Sequence, residues 1–333
     1  MWDSNDNPML SRVASAIYWM SRYMERAENT ARFIDAIRHL VLDLPGESRN
    51  EWESLIFATG DEEDFKNRYG EDYRRQDVIQ FLTFDRQNPN SILSCMRAAR
   101  ENARSIREII SSEVWEQINR SYLLVSDPQA LQRVEQDPAA FYSHFKKACL
   151  LFSGSAYSTM THNEAWQFCK LGWTIERADK SSRVLDVKYF MLLPRMEYVN
   201  SPYDSLQWAG LLRCISGFEM FCKDYRQISP SNVAEFLLLS DEFPRSVRFC
   251  LMHAELAMNE ITGSRARSFS NRAEQRLGRL RSELDYVDIK EILNHGLHEY
   301  LDSFQSKLND VGDEIQRTFF NTRHTAAASA PSA

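Results

Sequence analysis

Apolar side chains recur with the period of an α-helix over the first forty residues of the chain. On a helical projection they fall within a stripe roughly 120° wide, so residues 9–42 are predicted to form one long amphipathic helix. The stripe consists of Val13, Ala16, Ile17, Met20, Met24, Ala27, Ala31, Ile34 and Val41. The sequence Leu44-Pro45-Gly46 contains a helix-breaking pair and predicts the end of this helix.

Helical patterning continues along the rest of the chain. The spacing predicts short helices near 50–58, 62–70 and 76–84, a long helix from Ser91 to Tyr122, and further helices through about 153 and over 269–321. The chain has only 11 Gly and 10 Pro among 333 residues. A β-rich fold needs many turns built from these residues, so the composition favours an all-α protein.

The second half of the chain repeats segments of the first. Residues 25–35, ERAENTARFID, align with residues 176–186, ERADKSSRVLD, at an offset of about 150 residues. Later matches keep the same order: Trp52 with Trp208, residues 77–82 with 232–237, Pro89-Asn90-Ser91 with Pro244-Arg245-Ser246, and Cys95 with Cys250. We interpret these collinear matches as an internal duplication that gives two pseudo-symmetric, diverged helical-bundle repeats.

The duplication suggests boundaries along the chain. We expect an N-terminal tail over 1–8, a first helical repeat over 9–158 and a second over 159–268. Residues 269–323 are expected to form C-terminal helices that complete the second bundle. The last residues, 324–333, are small and polar and are predicted to be a disordered tail.

A polar face lies opposite the apolar stripe of the first helix. Its members stand three or four residues apart and are therefore neighbours on the helix surface, so Glu25 is expected to reach Arg22 and Asn29. This face carries Tyr18, Arg22, Glu25, Arg26, Asn29 and Arg32, and the same face of the second copy carries Trp173, Glu176, Arg177, Lys180 and Arg183. A solvated face with weak ion pairs is the simplest interpretation. However, such a face gives no reason for the Glu-Arg order to recur in both copies.

Two interpretations of the recurring motif remain open. In the first, the Glu-Arg pairs are buried between the two units, and each arginine makes bidentate bonds that fix how the copies dock. In the second, the arginines line a groove that accepts carboxylates or phosphates from a ligand or partner. The residue types fit both interpretations.

Two weaker candidate sites occur elsewhere. Arg245 and Arg248 stand where a helix is predicted to begin, and free N–H groups there could hold an anion, although ordinary surface charge explains them equally. His295, His298 and Glu299 are close in sequence, but no third ligand at a telling spacing supports a metal site. No phosphate-binding loop or nucleophile motif is found, and we predict no catalytic residue, metal or cofactor.

Composition narrows the classes of function. The net charge is −7 with no basic stripe, which argues against a nucleic-acid binder. We find no apolar run long enough to span a membrane and no signal-peptide pattern at the N-terminus. The six cysteines are scattered without a CxxC motif, as expected for reduced thiols of a cytoplasmic protein. The sequence does not determine the oligomeric state, and a homo-oligomer is possible.

Several segments resemble the bacterial alpha-E proteins, an all-helical family named for its helices and its Glu-Arg motif. The resemblance rests on residues 9–14, 18–20, 25–32, 236–248 and 296–301, and it extends over nearly the whole chain. The family's function is unknown. Its members are typically encoded beside a circularly permuted ATP-grasp protein and a transglutaminase-like protein. The resemblance therefore implies an accessory component of a peptide-ligating or peptide-modifying system.

Three functions are weighed on this basis. The first is a non-catalytic interaction protein for an ATP-grasp amide ligase, which fits the missing catalytic motifs. The second is an enzyme that uses Glu25 with Arg26 and Glu176 with Arg177 for acid–base chemistry; a carboxylate beside arginine is normally ionised and is a poor proton donor. The third is a purely structural helical protein.

Overall fold

The computed structural model describes residues 9–43, 49–192, 202–265 and 268–321. In these ranges the chain is all-helical, as predicted, with no strand. The helices are α1 (Ser11–Asp43), α2 (Arg49–Thr59), α3 (Glu62–Tyr69), α4 (Arg75–Ile79), α5 (Ile92–Ser105), α6 (Ser112–Ser126), α7 (Ala130–Gln136), α8 (Pro138–Thr159), α9 (Glu164–Leu192), α10 (Pro202–Cys214), α11 (Phe218–Asp224), α12 (Pro230–Leu239), α13 (Val247–Thr262), α14 (Arg272–Tyr286), α15 (Ile289–His295) and α16 (Leu297–Ile315). Short π-helical turns extend α4 over Gln80–Phe84 and α16 over Gln316–Phe320.

The two longest helices, α1 and α9, pack along each other at the centre of the molecule. They run parallel, because Met9 donates its backbone N–H to Glu164 near the start of both helices and Arg22 contacts Glu176 further along both. The backbones come closest where Ser21 faces Gly172. A Cβ atom at Gly172 would overlap the Ser21 hydroxyl and the Tyr18 carbonyl oxygen, so glycine is what permits this approach.

The other helices surround this central pair in matching contacts. Helix α5 packs on α1 as α13 packs on α9, and α8 and α16 cover the same two central helices. Helices α2 and α10 are exchanged: α2 packs mainly on α9, and α10 packs mainly on α1. One continuous cluster of buried apolar side chains runs through all of these contacts. The two halves therefore share one core.

The predicted long helix from Ser91 to Tyr122 is wrong. The structure has two helices there, and α5 ends at Ser105 while α6 begins at Ser112. Ile106 and Ile110 keep the apolar spacing across the break because both turn into the core. Ser111 stops the pattern by capping α6, since its hydroxyl accepts a hydrogen bond from the backbone N–H of Val114.

Most other helix predictions are confirmed within the described residues. Helices α1 to α4 match the expected segments, and the region over 269–321 is helical in three pieces. The predicted stop at Leu44-Pro45-Gly46 and the two predicted tails lie outside the described residues. Within the described ranges, none of the helices combines the length and apolar character needed to cross a bilayer.

Candidate functional site

The two Glu-Arg motifs meet at the centre of the α1–α9 contact and pair with each other. Arg26 donates from Nε to Glu176 Oε1 at 2.6 Å and from Nη2 to Oε2 at 3.0 Å. In return, Arg177 donates from Nε to Glu25 Oε1 at 2.9 Å and from Nη2 to Oε2 at 2.7 Å. Both are bidentate pairs, the geometry in which guanidinium and carboxylate bind most strongly and most specifically. We call these four residues the Glu-Arg clasp.

A further arginine joins each glutamate of the clasp. Glu176 also accepts from Arg22 Nε at 2.8 Å, and that guanidinium lies 4.9 Å above the ring of Trp19. Glu25 instead accepts from Arg245 Nη1 at 3.1 Å. The second arginine thus comes from α1 in one case and from the segment before α13 in the other.

A second layer of acids extends each cluster along the helices. Glu28 accepts from Arg32 Nε at 2.8 Å and also from Arg245, and Arg32 continues to the Ser216 hydroxyl at 2.8 Å. Asp179 is the counterpart of Glu28 in the other motif, and Lys180 and Arg183 contact it at 2.9 and 3.0 Å. Asn29 donates to Glu25 Oε1 at 2.9 Å.

The glutamates of the clasp are buried and its arginines are mostly covered, so this polar face is not a solvated surface. Glu25 and Glu176 are 3% and 0% exposed. The narrow space beside Glu25 and Glu28, bounded by Cys149 and Trp173, has no room for a water molecule. On this side the structure corresponds to the interpretation of buried ion pairs between the units.

The clasp holds its glutamates in the ionised form. Burial alone would raise the pKa of Glu25, but Arg177 and Arg245 outweigh it and lower that pKa to about 2. The same opposition lowers the pKa of Glu176 well below its usual range, because Arg26 and Arg22 outweigh burial. Asp179, beside Lys180 and Arg183, also has its pKa lowered to about 2 against the effect of burial. These carboxylates are charged at neutral pH and are poor proton donors.

Two cysteines lie near the clasp at matching places. Cys95 Sγ is 3.6 Å from the carbonyl oxygen of Pro89, and Cys250 Sγ is 3.6 Å from that of Pro244. Burial raises the pKa of each thiol to about 12, even though an arginine is near. Both therefore remain protonated thiols and are weak nucleophiles.

At the start of α13, where an anion site was predicted, the two arginines bind carboxylates of the chain. Arg245 is buried and both terminal nitrogens of its guanidinium contact Glu25 or Glu28, while Arg248 pairs with Asp285 at 3.2 Å. The N-terminus of α13 is capped by the Ser246 hydroxyl. The two arginines therefore bind carboxylates of the chain itself and do not converge on one point.

The histidines of the weak metal candidate also point apart. His295 contacts the carbonyl oxygen of Glu291, whereas His298 Nδ1 lies 2.7 Å from Asp186 Oδ1 on α9. Among the described residues, no group of three or more His, Cys, Asp or Glu side chains has the arrangement of a metal site.

Sequence reasoning placed most of the cluster but missed some partners. The expectation that Glu25 reaches Asn29 is confirmed, but Arg22 turns to Glu176 and not to Glu25. The entry of Arg245 into the cluster was missed, although the recurring Pro-X-Ser segment contained it. The close approach at Gly172 had a signal too, since Gly172 aligns with Ser21, another small residue.

Comparison with known proteins places the chain in a family. A family model described as a predicted alpha-helical domain with a conserved ER motif matches residues 9–320. Uncharacterized proteins of Mycobacterium bovis and Mycobacterium tuberculosis are 26% identical to the chain over 335 aligned positions, which cover 92% of the chain and 36% of each relative. The chain thus spans about a third of the length of these curated relatives. No solved structure matches it.

Proposed function

The chain belongs to the Alpha-E family, and from this premise we propose that it is a non-catalytic interaction protein whose ER motif is a structural clasp. The observation that carries the proposal is the reciprocal pairing of Glu25 with Arg177 and of Glu176 with Arg26. The glutamate of each motif is paired with the arginine of the other motif, and both glutamates are buried. The clasp fixes the shape of the molecule, and the surfaces around it are left to bind partners.

An enzymatic role for the motif has less support. Acid–base catalysis needs a carboxyl whose pKa lies near the working pH and which a substrate can reach. Glu25 and Glu176 have lowered pKa values and are buried against arginines. The thiols of Cys95 and Cys250 are likewise protonated and buried.

We further infer that the two halves are diverged copies of one helical unit. Residues at matching positions make matching contacts, as in the clasp itself. Ser91 and Ser246 each accept from the backbone N–H three residues ahead and donate to a carbonyl six residues behind. The copies have also diverged, since Asn90 stands where Arg245 stands in the second half.

The partners that we propose come from the family resemblance: a circularly permuted ATP-grasp protein and a transglutaminase-like protein, with the chain as accessory component in the cytoplasm. The lengths of the curated relatives support a role beside another unit. In those proteins the matching segment makes up 36% of the chain and is joined to further sequence. Covalent linkage keeps units that act together at high effective concentration.

Co-purification tests the proposal. The chain is co-expressed with a tagged, circularly permuted ATP-grasp protein, the partner that the family resemblance implies, and the complex is measured by size-exclusion chromatography. We expect a stable complex with the wild type and no turnover of ATP or peptide by the purified chain alone. Turnover by the chain alone, or failure to bind either neighbouring protein, would contradict the accessory role.

A double variant tests the role of the clasp. Arg26→Ala with Arg177→Ala leaves two buried glutamates short of a partner, so we expect loss of helical structure or a large fall in melting temperature. The matched control is Arg74→Ala with Arg120→Ala, which removes two exposed arginines from weak surface pairs. A fully stable clasp variant that lost only its partner would show that the motif is an interface and not a structural clasp.

A further inference from the structure

A cavity of about 600 Å³ opens between α13 and α14, away from the clasp. Its size lies within the range of ligand pockets in proteins. Two aromatic side chains on its lining are largely exposed, Phe269 at 60% and Tyr286 at 89%. Gly278 lies on the α14 side, where a Cβ would meet Glu255 Oε1 at 3.3 Å. Exposed aromatic side chains beside a cavity are typical of surfaces that receive a partner.

The acids around this cavity already have partners within the chain. Glu255 pairs with Arg281 at 2.6 Å, and Glu283 pairs with Lys307 at 2.6 Å. Glu274 accepts from the Thr262 hydroxyl and from a backbone N–H. Among the described residues, no carboxylate pairs with Arg279, which also lines the cavity. The lining holds three glutamates and two arginines, and Arg279 is the arginine among them that has no ion pair within the described part of the chain.

A second groove, of about 420 Å³, lies on the other side of Arg279, between α14 and α16. Here Arg276 pairs with Asp310, whereas Arg272 has no carboxylate partner within the part of the chain that is described. Arg272 and Arg279 are seven residues apart, so they stand on one face of α14 about 10 Å apart along its axis. Two arginines that have no carboxylate partner among the described residues thus lie along one side of α14, next to the cavity.

We propose that this α14 surface, formed by Arg272, Arg279 and the cavity at Gly278, binds an acidic peptide segment of a partner protein. In a peptide of polyproline II conformation, residues three apart lie on one side and are separated by about 9 Å, close to the spacing of the two arginines. A carboxylate pairs with each arginine, and an aromatic side chain of the peptide enters the cavity against Phe269 and Tyr286. Recognition of acidic motifs by arginines is a recurring mode of peptide binding.

A defined peptide tests this surface. The probe is a fluorescein-labelled ten-residue peptide with two glutamates three positions apart and one tryptophan beside them, followed by fluorescence anisotropy. We expect saturable binding that Arg279→Gln weakens at least five-fold. Arg120→Gln on α6 is the control and is expected to leave the affinity unchanged, because this exposed arginine lies outside the surface. Gly278→Leu is expected to abolish the contribution of the tryptophan with α-helical circular dichroism intact.

Three outcomes would overturn the proposal. The first is equal binding of a peptide with glutamine in place of both glutamates, and the second is an unchanged affinity of the folded Arg279→Gln variant. The third is tighter binding of a single-stranded DNA decamer that displaces the peptide, which would assign the surface to nucleic acid. Peptide binding is measured on the chain alone, so it can succeed where co-purification with the ATP-grasp protein fails, and the reverse.

Discussion

Replacing Glu176 by glutamine is the sharpest perturbation of the clasp. The side chain keeps its shape but loses the charge that Arg26 and Arg22 share. Because Glu176 is 0% exposed, water cannot replace the lost carboxylate. Removing one partner of a buried ion pair leaves an uncompensated buried charge and costs about 3–5 kcal/mol. With about 2 °C lost per kcal/mol in larger domains, the melting temperature should fall by roughly 6–10 °C.

Urea denaturation followed by far-ultraviolet circular dichroism measures this cost at pH 7. The matched control is Glu116→Gln, which removes a carboxylate 3.5 Å from Arg120 in an exposed pair on α6. Exposed pairs contribute at most about 1 kcal/mol, so the control should unfold close to the wild type. A loss of less than about 1 kcal/mol for Glu176→Gln, equal to the control, would refute the view that the clasp fixes the fold.

Three further outcomes follow from the same contacts. Because the pKa of Glu25 is lowered to about 2, the ionised carboxylate stabilises the fold fully above pH 5, and this contribution is lost as the pH falls towards 2. Urea titrations at several pH values should therefore show the free energy of unfolding falling by about 3 kcal/mol over this range, and the Glu25→Gln variant should lack this loss. Gly172→Ala should destabilise the protein by its overlap with the Tyr18 carbonyl, whereas Gly154→Ala, with open space around its Cβ, should stabilise it by up to about 1 kcal/mol; equal signs in thermal melts would contradict the close approach. A thiol reagent should modify exposed Cys222 rapidly and the five buried cysteines only on unfolding, and rapid reaction of all six would be evidence against the packed core.

Much of the fold could be predicted from periodicity. Helix α1 and the C-terminal helices follow the spacing of their apolar residues. The break between α5 and α6 could not be predicted in the same way, because Ile106 and Ile110 continue the apolar spacing across the turn. Only the capping residue Ser111 marked it. Apolar periodicity alone does not predict a helix break when the residues around the break stay in the core.

The candidate site was predictable in its residues but not in its pairing. Recurrence of the Glu-Arg order identified Glu25, Arg26, Glu176 and Arg177, yet helix spacing favours partners within one helix. The structure pairs them across two parallel helices because the close approach at Gly172 brings the carboxylates within reach of the opposite arginines. Long-range partners of this kind depend on helix packing, which local sequence does not specify.

The reciprocal packing of α2 on α9 and of α10 on α1 resembles the contact between two subunits of a symmetric dimer. A contact in which each side offers the same glutamate and arginine is an isologous interface, and such an interface closes on itself. In a separate fragment of residues 9–159, Ser21 would stand where Gly172 stands in the whole chain, so one α1 could not approach a second α1 as closely as it approaches α9. Covalent connection makes the pairing independent of protein concentration. It also lets the two sides differ, as Asn90 and Arg245 do, in ways that an exact two-fold dimer does not allow.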